Sequence, residues 1–365
     1  MGWGAAGAVI SAFLIGYAAP YLPPAWFWWT NLFAVLLPAL GVVVGLLSLA
    51  LLGHGLYRRR WGRVVVAGVL LVTLLLRFAP RVGVGDASAT DERTLRLMTF
   101  NVPMSYARKD TSARALARFV QRQAPDVLAF QESWMSTEVD PWAERKERFW
   151  PPRAFLEDSL GYAPPQARPL GTTICQPVLG RLPLDSVSIH PLPPDGEKDP
   201  CSRYTRTEFT WQGRPAVLYN VHLHSVGSVR PWNGSKGWGS LERWHDFLHT
   251  YRGATMSRVR QARLIRRRIE QETRPVLVAG DFNSTPHQWA YRHVAAGMQS
   301  ATEQDGWDWS PTFPARRPIV RIDHILAGPE WDLVTARVPA LKGDTAISDH
   351  RPVVAQLRWA AGYSE

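Results

Sequence analysis

The chain has 365 residues, enough for one large domain and an accessory segment, and 42 lysine and arginine residues against 31 acidic ones give a formal net charge of +11. Its two cysteines do not form a CxxC pair, so a thiolate zinc site is not expected. An excess of about seven positive charges lies after Arg93, which favours anionic ligands.

The N-terminal region is apolar and has no acidic residue before Asp86. Apolar stretches run over residues 5–21, 27–52 and 64–78. Because a helix needs about 20 apolar residues to cross a bilayer, we predict about three transmembrane helices. The alternative is a signal peptide followed by buried core helices. It is disfavoured because no basic residue precedes the first stretch and no clear cleavage site follows it.

Tryptophan and arginine mark opposite ends of these predicted helices. Trp26, Trp28 and Trp29 form an aromatic group in the first connection, and the arginines at 58, 59, 60 and 63 lie in the second. Since positive loops stay cytoplasmic, we predict that the tryptophans and everything after Phe78 lie outside. The expected organisation is a membrane anchor over 1–82, a linker over 83–93 and an extracytoplasmic domain over 94–365.

Strand-like and helix-like segments alternate after residue 94, which predicts a layered α/β domain. The predicted strands cover residues 95–100, 126–130, 216–222, 275–279, 319–326 and 353–357, and the predicted helices cover 111–123 and 257–272. The 257–272 helix is strongly basic, and we expect its arginines to be solvated while Leu264 and Ile269 are buried.

Cys175 and Cys201 lie in the proline-rich stretch between residues 170 and 204. A disulfide and two unpaired thiols are both compatible with the sequence. An oxidising compartment favours the bridge, which would stabilise the domain by roughly 3 kcal/mol through loop closure.

Polar residues stand at the ends of six apolar runs. These segments are FNV at 100–102, QES at 131–133, NVHL at 220–223, GDFN at 280–283, RIDHIL at 321–326 and SDHRPV at 348–353. Any one of them is compatible with a strand end meeting water, but together they predict an active site. Hard cations prefer carboxylate and amide oxygens, so we predict an Mg²⁺ or Mn²⁺ site. Glu132 is the expected direct ligand, and Asn101, Asp281, Asn283 and Asp349 could complete an oxygen-rich site around it.

Histidines in three of these segments can move protons or contact a phosphate. We predict His350 as a general base, with Asp323 holding the ring in the tautomer that can accept a proton from water. His222 lies on a different predicted strand and would face the phosphate as a donor or general acid.

These six segments, in this order, resemble the endonuclease/exonuclease/phosphatase superfamily, also called deoxyribonuclease-I-like. The resemblance spans nearly the whole soluble region, and GDFN with a distal SDHRPV is its most specific pair. It implies a four-layer α/β sandwich, in which two mixed sheets pack face to face between helices.

The resemblance also implies roles for the predicted site residues. Asn101 and Glu132 would belong to the metal site, and Asp281 with Asn283 would position the nucleophile and the phosphate. Asp323 and Asp349 would support His350, and His222 would be the histidine on the phosphate side.

Two regions fit the resemblance loosely. His324 occupies a place where many relatives carry an aromatic residue, which leaves its role open. The stretch 225–247 is rich in tryptophan, glycine and serine, and its part at 230–238 is a candidate recognition loop or a segment packed on its own domain.

Three functions are compatible with these patterns. The first is a membrane-anchored phosphodiesterase or phosphatase acting on phospholipid headgroups or other extracytoplasmic phosphoesters. The second is an extracytoplasmic nuclease, favoured by the basic surface. The third is a membrane scaffold that has lost catalysis, which the complete set of catalytic residue types argues against. The expected partners are the lipid bilayer and a phosphoester substrate, and no protein partner can be inferred.

Overall fold

The computed structural model describes residues 3–78, 94–107, 110–136, 155–169, 173–196, 199, 201–227, 240–302, 310–341, 343 and 347–363. The predicted linker at 83–93 and the candidate recognition loop at 230–238 lie outside these described residues.

The apolar N-terminal region forms helices α1 (Trp3–Ala18), α2 (Pro24–Phe27), α3 (Thr30–Val35), α4 (Leu37–Tyr57) and α5 (Trp61–Phe78). Within the described residues, three segments are long and apolar enough to cross a membrane: Gly4–Tyr21, Leu37–Tyr57 and Trp61–Phe78. The second predicted stretch is divided at Leu36, because Pro38 follows and its ring is not tolerated inside a helix. Its membrane-length part therefore begins at Leu37 rather than at residue 27.

The N-terminal helices pack into a small bundle. Its core contains Phe13, Leu37, Val44 and Leu70. At Gly41 an added Cβ would lie 2.8 Å from the ring of Phe78, so the absence of a side chain allows α4 and α5 to approach closely. Small residues serve this purpose in membrane helix pairs generally.

The soluble domain contains the remaining elements. The helices are α6 (Met104–Ala107), α7 (Asp110–Gln123), α8 (Leu241–Glu270) and α9 (Trp289–Val294). The strands are β1 (Leu95–Asn101), β2 (Val127–Gln131), β3 (Met135–Ser136), β4 (Thr173–Ile174), β5 (Val178–Gly180), β6 (Leu184–Pro191), β7 (Arg203–Trp211), β8 (Arg214–His222), β9 (Val276–Asp281), β10 (Gln299–Ser300), β11 (Asp323–Ala327), β12 (Trp331–Arg337) and β13 (Val353–Trp359).

Two mixed sheets form the centre of this domain. The five-stranded sheet has the order β12-β13-β1-β2-β5, and the six-stranded sheet has the order β10-β11-β9-β8-β7-β6. Each contains one parallel pair, β1 with β2 and β8 with β9, and its other neighbours are antiparallel. In a parallel pair both strands end at the same edge, so the residues that follow them are brought together.

The alternation of side chains along the strands produces four layers. Leu95 and Leu97 of β1 pack between the sheets with Leu218 and Leu277 of the other sheet. The opposite face of the five-stranded sheet is covered by α7, and that of the six-stranded sheet by α8 and α9. The predicted four-layer sandwich of two mixed sheets flanked by helices is therefore confirmed.

Polar side chains join the two sheets beneath one edge of the sandwich. Gln131 Nε2 donates to Asn220 Oδ1 at 2.7 Å and to Thr99 Oγ1 at 3.0 Å. Asn220 Nδ2 in turn donates to the Phe130 carbonyl at 2.8 Å. All three side chains are fully buried, and this inter-sheet amide network supplies them with partners.

Two sequence-based expectations need correction. The basic helix begins at Leu241 rather than at residue 257, because Phe247, Tyr251 and Ala254 extend its buried face toward the N-terminus. The strand predicted over 319–326 begins only at Asp323, where pairing with β9 starts.

Cys175 and Cys201 form a disulfide, the alternative favoured by an oxidising compartment. The bridge adjoins the QES segment, because the Cys175 carbonyl accepts a hydrogen bond from the Ser133 amide at 3.2 Å.

Candidate active site

The polar residues predicted from the six segments meet at one edge of the sandwich. Asn101 and Glu132 lie at the ends of the parallel pair β1 and β2, and His222 and Asp281 end the parallel pair β8 and β9, where they are register partners. Asp323 begins β11 opposite Asp281. The strand topology therefore explains why residues far apart in sequence share one site.

Asn101 connects the carboxylates of the two sheets. Its Nδ2 donates to Glu132 Oε1 and to Asp281 Oδ2, each at 3.0 Å. Asn101 and Asp281 are almost completely buried, whereas the Glu132 side chain is 40 % exposed. One amide thus holds a buried and an accessible carboxylate side by side.

The Glu132 backbone is held in an unusual conformation. Its φ of 56° lies in the left-handed region, which costs a residue with a Cβ roughly 1 kcal/mol or more. Ser133 stabilises the turn, because its Oγ donates to the Val102 carbonyl at 3.1 Å and its amide is bound by the disulfide segment. The turn directs the Glu132 carboxylate toward the edge of the sandwich.

His222 faces the same pair of carboxylates. Its Nε2 lies 3.7 Å from Glu132 Oε1 and 3.8 Å from Asp281 Oδ2. Asn283, with a φ of 44°, donates its amide to Asp281 Oδ1 at 2.7 Å and its Nδ2 to the Leu223 carbonyl at 2.9 Å. Asn283 therefore links the loop after β9 to the loop after β8.

His350 and Asp323 form a buried pair. His350 Nδ1 lies 3.1 and 3.0 Å from the two Asp323 carboxylate oxygens, and the opposite nitrogen, Nε2, lies 3.9 Å from Asp281 Oδ2. Although burial opposes the charge, Asp323, followed by Asp281 and Asp349, raises the pKa of His350 to about 10. Burial and then Asp323 raise the pKa of Asp281. Acidic side chains are thus concentrated around His350 at this edge.

The backbone around His350 is connected to Asn101 through Ser348. Ser348 Oγ donates to the Asn101 carbonyl at 2.6 Å and accepts from the His350 amide at 2.9 Å. The Phe313 ring packs on the imidazole, with 4.8 Å between ring centroids. Ser348 and Phe313 support the site; Ser348 lies in the SDHRPV segment but was assigned no role, and Phe313 lies outside the six segments.

Three polar atoms at this edge are buried without a hydrogen-bond partner among the described residues: Asn101 Oδ1, His222 Nε2 and Asp349 Oδ1. Buried polar atoms normally have partners. The two oxygens suit a hard cation, and the exposed Glu132 carboxylate adds a third donor. The residues present therefore fit the predicted divalent cation.

A second group of donors lies nearby. Asp281, Asp323 and His350 have ligand atoms within 4.8 Å of one another. Asp323, however, is fully buried, and its two carboxylate oxygens lie 3.1 and 3.0 Å from His350 Nδ1. Glu132 and Asn101, which are hydrogen-bonded to each other at the same edge, offer an oxygen-rich alternative.

Two residues outside the predicted site, Arg258 and Gln261, hold the backbone of the loop that follows β8. Arg258 was expected on a solvated face, but it is 2 % exposed, and its Nη1 donates to the His224 carbonyl at 2.9 Å. Gln261 Oε1 accepts from the His224 amide at 2.8 Å. Arg258 falls on the same helical face as Tyr251 and Ile265, so the 3.6-residue period of α8 was the available signal.

His324, whose role the sequence left open, is a packing residue. It is fully buried between the rings of Phe282 and Tyr291, and its Nε2 lies 2.9 Å from the Ser284 carbonyl. Burial, followed by Arg321, holds its pKa well below the usual range. A neutral His324 can donate to Ser284 and support the loop after Asp281.

Comparison with known proteins identifies a matching family and similar solved structures. The sequence profile described as Endonuclease/Exonuclease/phosphatase family matches residues 98–350, which include the first five segments and the SDH part of the sixth. No curated protein matches the sequence.

Solved structures with similarity to the chain include three bacterial proteins. An endonuclease/exonuclease/phosphatase from Beutenbergia cavernae DSM 12333 is 19 % identical, covering 74 % of this chain and 72 % of its own, with a TM-score of 0.48. The corresponding protein from Bacteroides vulgatus is 17 % identical, covering 74 % and 100 %, with a TM-score of 0.48. A family protein from Leptotrichia buccalis C-1013-b is 15 % identical, covering 73 % and 100 %, with a TM-score of 0.47.

Proposed function

Because the chain belongs to the endonuclease/exonuclease/phosphatase family, a family of phosphoester hydrolases, we propose that it is a divalent-metal-dependent phosphoesterase anchored in a membrane. One observation carries the proposal: the Asn101–Glu132–Asp281 group and the His350–Asp323 pair lie next to each other at one edge of the sandwich, with 3.9 Å between His350 Nε2 and Asp281 Oδ2. An oxygen-rich cation site next to a supported histidine is suited to attack by water on a phosphorus centre.

We assign the cation to Glu132 and Asn101, with Asp349 contributing to the same negatively charged edge. When bound, Mg²⁺ or Mn²⁺ would neutralise charge that develops on the phosphoryl oxygens. The partnerless oxygens of Asn101 and Asp349 support this assignment.

The remaining residues would handle the proton and the phosphate. A bound cation would offset the negative charge of the carboxylates that raises the pKa of His350, so that His350 in its neutral form can accept a proton from the attacking water through Nε2. Asp323 at Nδ1 would stabilise the imidazolium formed. Asp281, 3.9 Å from Nε2, helps to orient that water. His222 and Asn283 contact the phosphoryl group from the opposite sheet, where His222 can donate to an oxygen that gains charge.

The position of the anchor favours substrates at a membrane surface. The bundle end near Phe78 contacts His287, which is four residues beyond Asn283. Four residues span at most about 14 Å, so the site lies close to the end of the predicted spans. A phosphoester in a lipid headgroup would be within reach there. The excess positive charge of the soluble domain favours the alternative, an extracytoplasmic nuclease for DNA or RNA.

The discriminating experiment uses the full chain in lipid nanodiscs with Mg²⁺. Phospholipids and sphingolipids are compared with plasmid and single-stranded DNA, and Glu132→Ala is the blank. We expect lipid hydrolysis that falls by at least about 100-fold in the blank, as removal of charge stabilisation at a reaction centre does. Nucleic-acid cleavage that disappears in the blank would instead support the nuclease. Turnover by Glu132→Ala equal to the wild type would contradict the assigned site.

We also propose that residues 1–82 form a multi-pass anchor in the cell membrane and that residues 94–365 form the extracytoplasmic catalytic domain. Ile319 is 62 % exposed in that domain, and Tyr57 is 80 % exposed at the other end of the bundle. In intact cells a membrane-impermeant maleimide should label Ile319→Cys directly, but Tyr57→Cys only after permeabilisation. The reverse pattern would refute the orientation.

A further inference from the structure

The bundle end near Phe78 packs directly on the soluble domain. The contacting pairs are Tyr21 with Arg292 at 4.5 Å from ring to guanidinium, Trp28 with Tyr251 at 6.5 Å and Phe78 with His287 at 5.8 Å between ring centroids, and Arg77 with His287 by a side-chain hydrogen bond. These contacts involve three different parts of the anchor: the first span, the tryptophan turn and the last span. We call this surface the anchor–domain interface.

Asn31 lies at the centre of the anchor–domain interface. Its Oδ1 accepts a hydrogen bond from the Trp289 amide at 3.3 Å, and its carbonyl accepts one from Gln288 Nε2, also at 3.3 Å. Asn31 and Gln288 are each 3 % exposed. Trp289 is the first residue of α9, so Asn31 supplies an acceptor to one of the amides that a helix leaves unpaired at its start.

Gln288 extends this contact to the active-site loop. Its Oε1 accepts from the Thr285 amide at 2.8 Å, and its own amide donates to the Thr285 carbonyl at 3.0 Å. Its Nε2 also donates to the Tyr251 hydroxyl at 3.1 Å. Thr285 is two residues beyond Asn283, which is bonded to Asp281. A continuous set of hydrogen bonds therefore runs from the membrane helices to the loop that carries Asn283.

A tether needs none of these bonds. Attachment to the membrane requires only the apolar spans, whereas the interface buries polar groups that must find partners. Removal of the Asn31 side chain would leave the Trp289 amide without its acceptor, directly beside Gln288, while the bond from Gln288 Nε2 to the Asn31 carbonyl would be retained. Small displacements at a reaction centre reduce turnover strongly.

We propose that Asn31 is a positioning residue of the active site: its side chain holds the Trp289 amide at the start of α9, and through the adjoining Gln288 and Thr285 this fixes the loop that carries Asn283, so the anchor sets turnover as well as location. This inference rests on the proposed phosphoesterase function. It assigns to the membrane helices a role in catalysis that the soluble domain alone would lack.

The test measures hydrolysis of bis(4-nitrophenyl) phosphate by the full chain in nanodiscs with Mg²⁺. We expect Asn31→Ala to lower kcat by about tenfold and to change KM by less than about twofold, since the loop is displaced but substrate contacts remain. Ser48→Ala is the matched control, because Ser48 is a buried polar residue of the same bundle bonded only locally to Val44.

Two further measurements separate positioning from general damage. If Asn31 acts through Asn283, the double variant Asn31→Ala/Asn283→Ala should lose no more activity than Asn283→Ala alone. Amide hydrogen exchange over residues 284–292 should be faster in Asn31→Ala than in the wild type and unchanged in Ser48→Ala.

Wild-type kcat and wild-type exchange in Asn31→Ala would overturn the inference, and so would losses that simply multiply in the double variant. If the wild-type protein shows no hydrolysis, or shows hydrolysis that Asp281→Ala does not reduce, the proposed function is refuted instead. Exchange over residues 284–292 would then decide the positioning role alone, because it needs no turnover.

Discussion

Gly280 allows the two strands that carry His222 and Asp281 to lie in contact. Its φ is +146°, and an added Cβ would lie 1.9 Å from the Val221 carbonyl oxygen. Gly280→Ala should therefore impose backbone strain of about 1–3 kcal/mol and an overpacking cost of about 1–3 kcal/mol. The expected loss is about 4 kcal/mol, or roughly 10 °C in the unfolding temperature of a domain of this size.

A matched control exists in the same sheet. Gly213 lies in the two-residue turn between β7 and β8 with a φ of +80°, and no atom lies within 4 Å of its added Cβ. Gly213→Ala should cost only about 1 kcal/mol of conformational strain. The difference between the two variants isolates the contact with Val221.

Tryptophan fluorescence during thermal unfolding and turnover on a soluble phosphodiester provide the measurements. Gly280→Ala should also lower kcat by about 100-fold, because a shift near 1 Å would separate His222 from Asp281. Gly213→Ala should keep wild-type turnover. Equal unfolding temperatures for the two variants would refute the packing argument, and wild-type turnover in Gly280→Ala would refute the link between this strand contact and catalysis.

Two further predictions concern charge. Arg274 and then Arg206 lower the pKa of Glu208 to about 2 from an ordinary 4.5, and the Glu208 side chain is 26 % exposed. Glu208→Gln should therefore reduce the free energy of unfolding by about 1 kcal/mol, after allowance for solvent screening. The stabilisation from the lowered pKa of Glu208 is complete above the unfolded-state pKa of 4.5 and is lost as pH falls toward the folded-state pKa of about 2. The difference in free energy of unfolding between the variant and the wild type should therefore shrink over this range. A difference that stays constant with pH in chemical denaturation would contradict this. Asp323→Asn should lower kcat by at least about 100-fold and bring the pKa of His350 down in an NMR titration, since Asp323 raises it; an unchanged pKa would disprove the pairing.

The convergence of the six segments could be predicted because each ends or begins a strand in a pattern visible along the chain. The short spacing from apolar run to polar residue identifies Asn101, Glu132, His222 and Asp281 as strand-end groups. The parallel pairs then bring them to one edge. The contact between Asp323 and His350 also followed from the chemistry that a histidine base requires.

Other features depend on contacts that local patterns do not specify. Arg258 was assigned to solvent by its charge, but the helical face that it shares with Tyr251 places it in the interior. Strands β6 and β7 alternate exposed and buried residues irregularly and were not recognised. Asn31 contacts Gln288 and Trp289, which lie more than 250 positions later in the chain, and no local pattern predicts this contact.

The inter-sheet amide network has a consequence for how precisely the site is assembled. Asn101 and Glu132 come from one sheet, and His222 and Asp281 come from the other, so the site exists only when the sheets are correctly aligned. Purely apolar faces could slide past each other at little cost. A slip of one residue pair would separate Gln131 from Asn220 and leave buried amides unpaired, at about 1–3 kcal/mol each. The buried amides therefore specify the relative alignment of the two sheets in which the two halves of the active site meet.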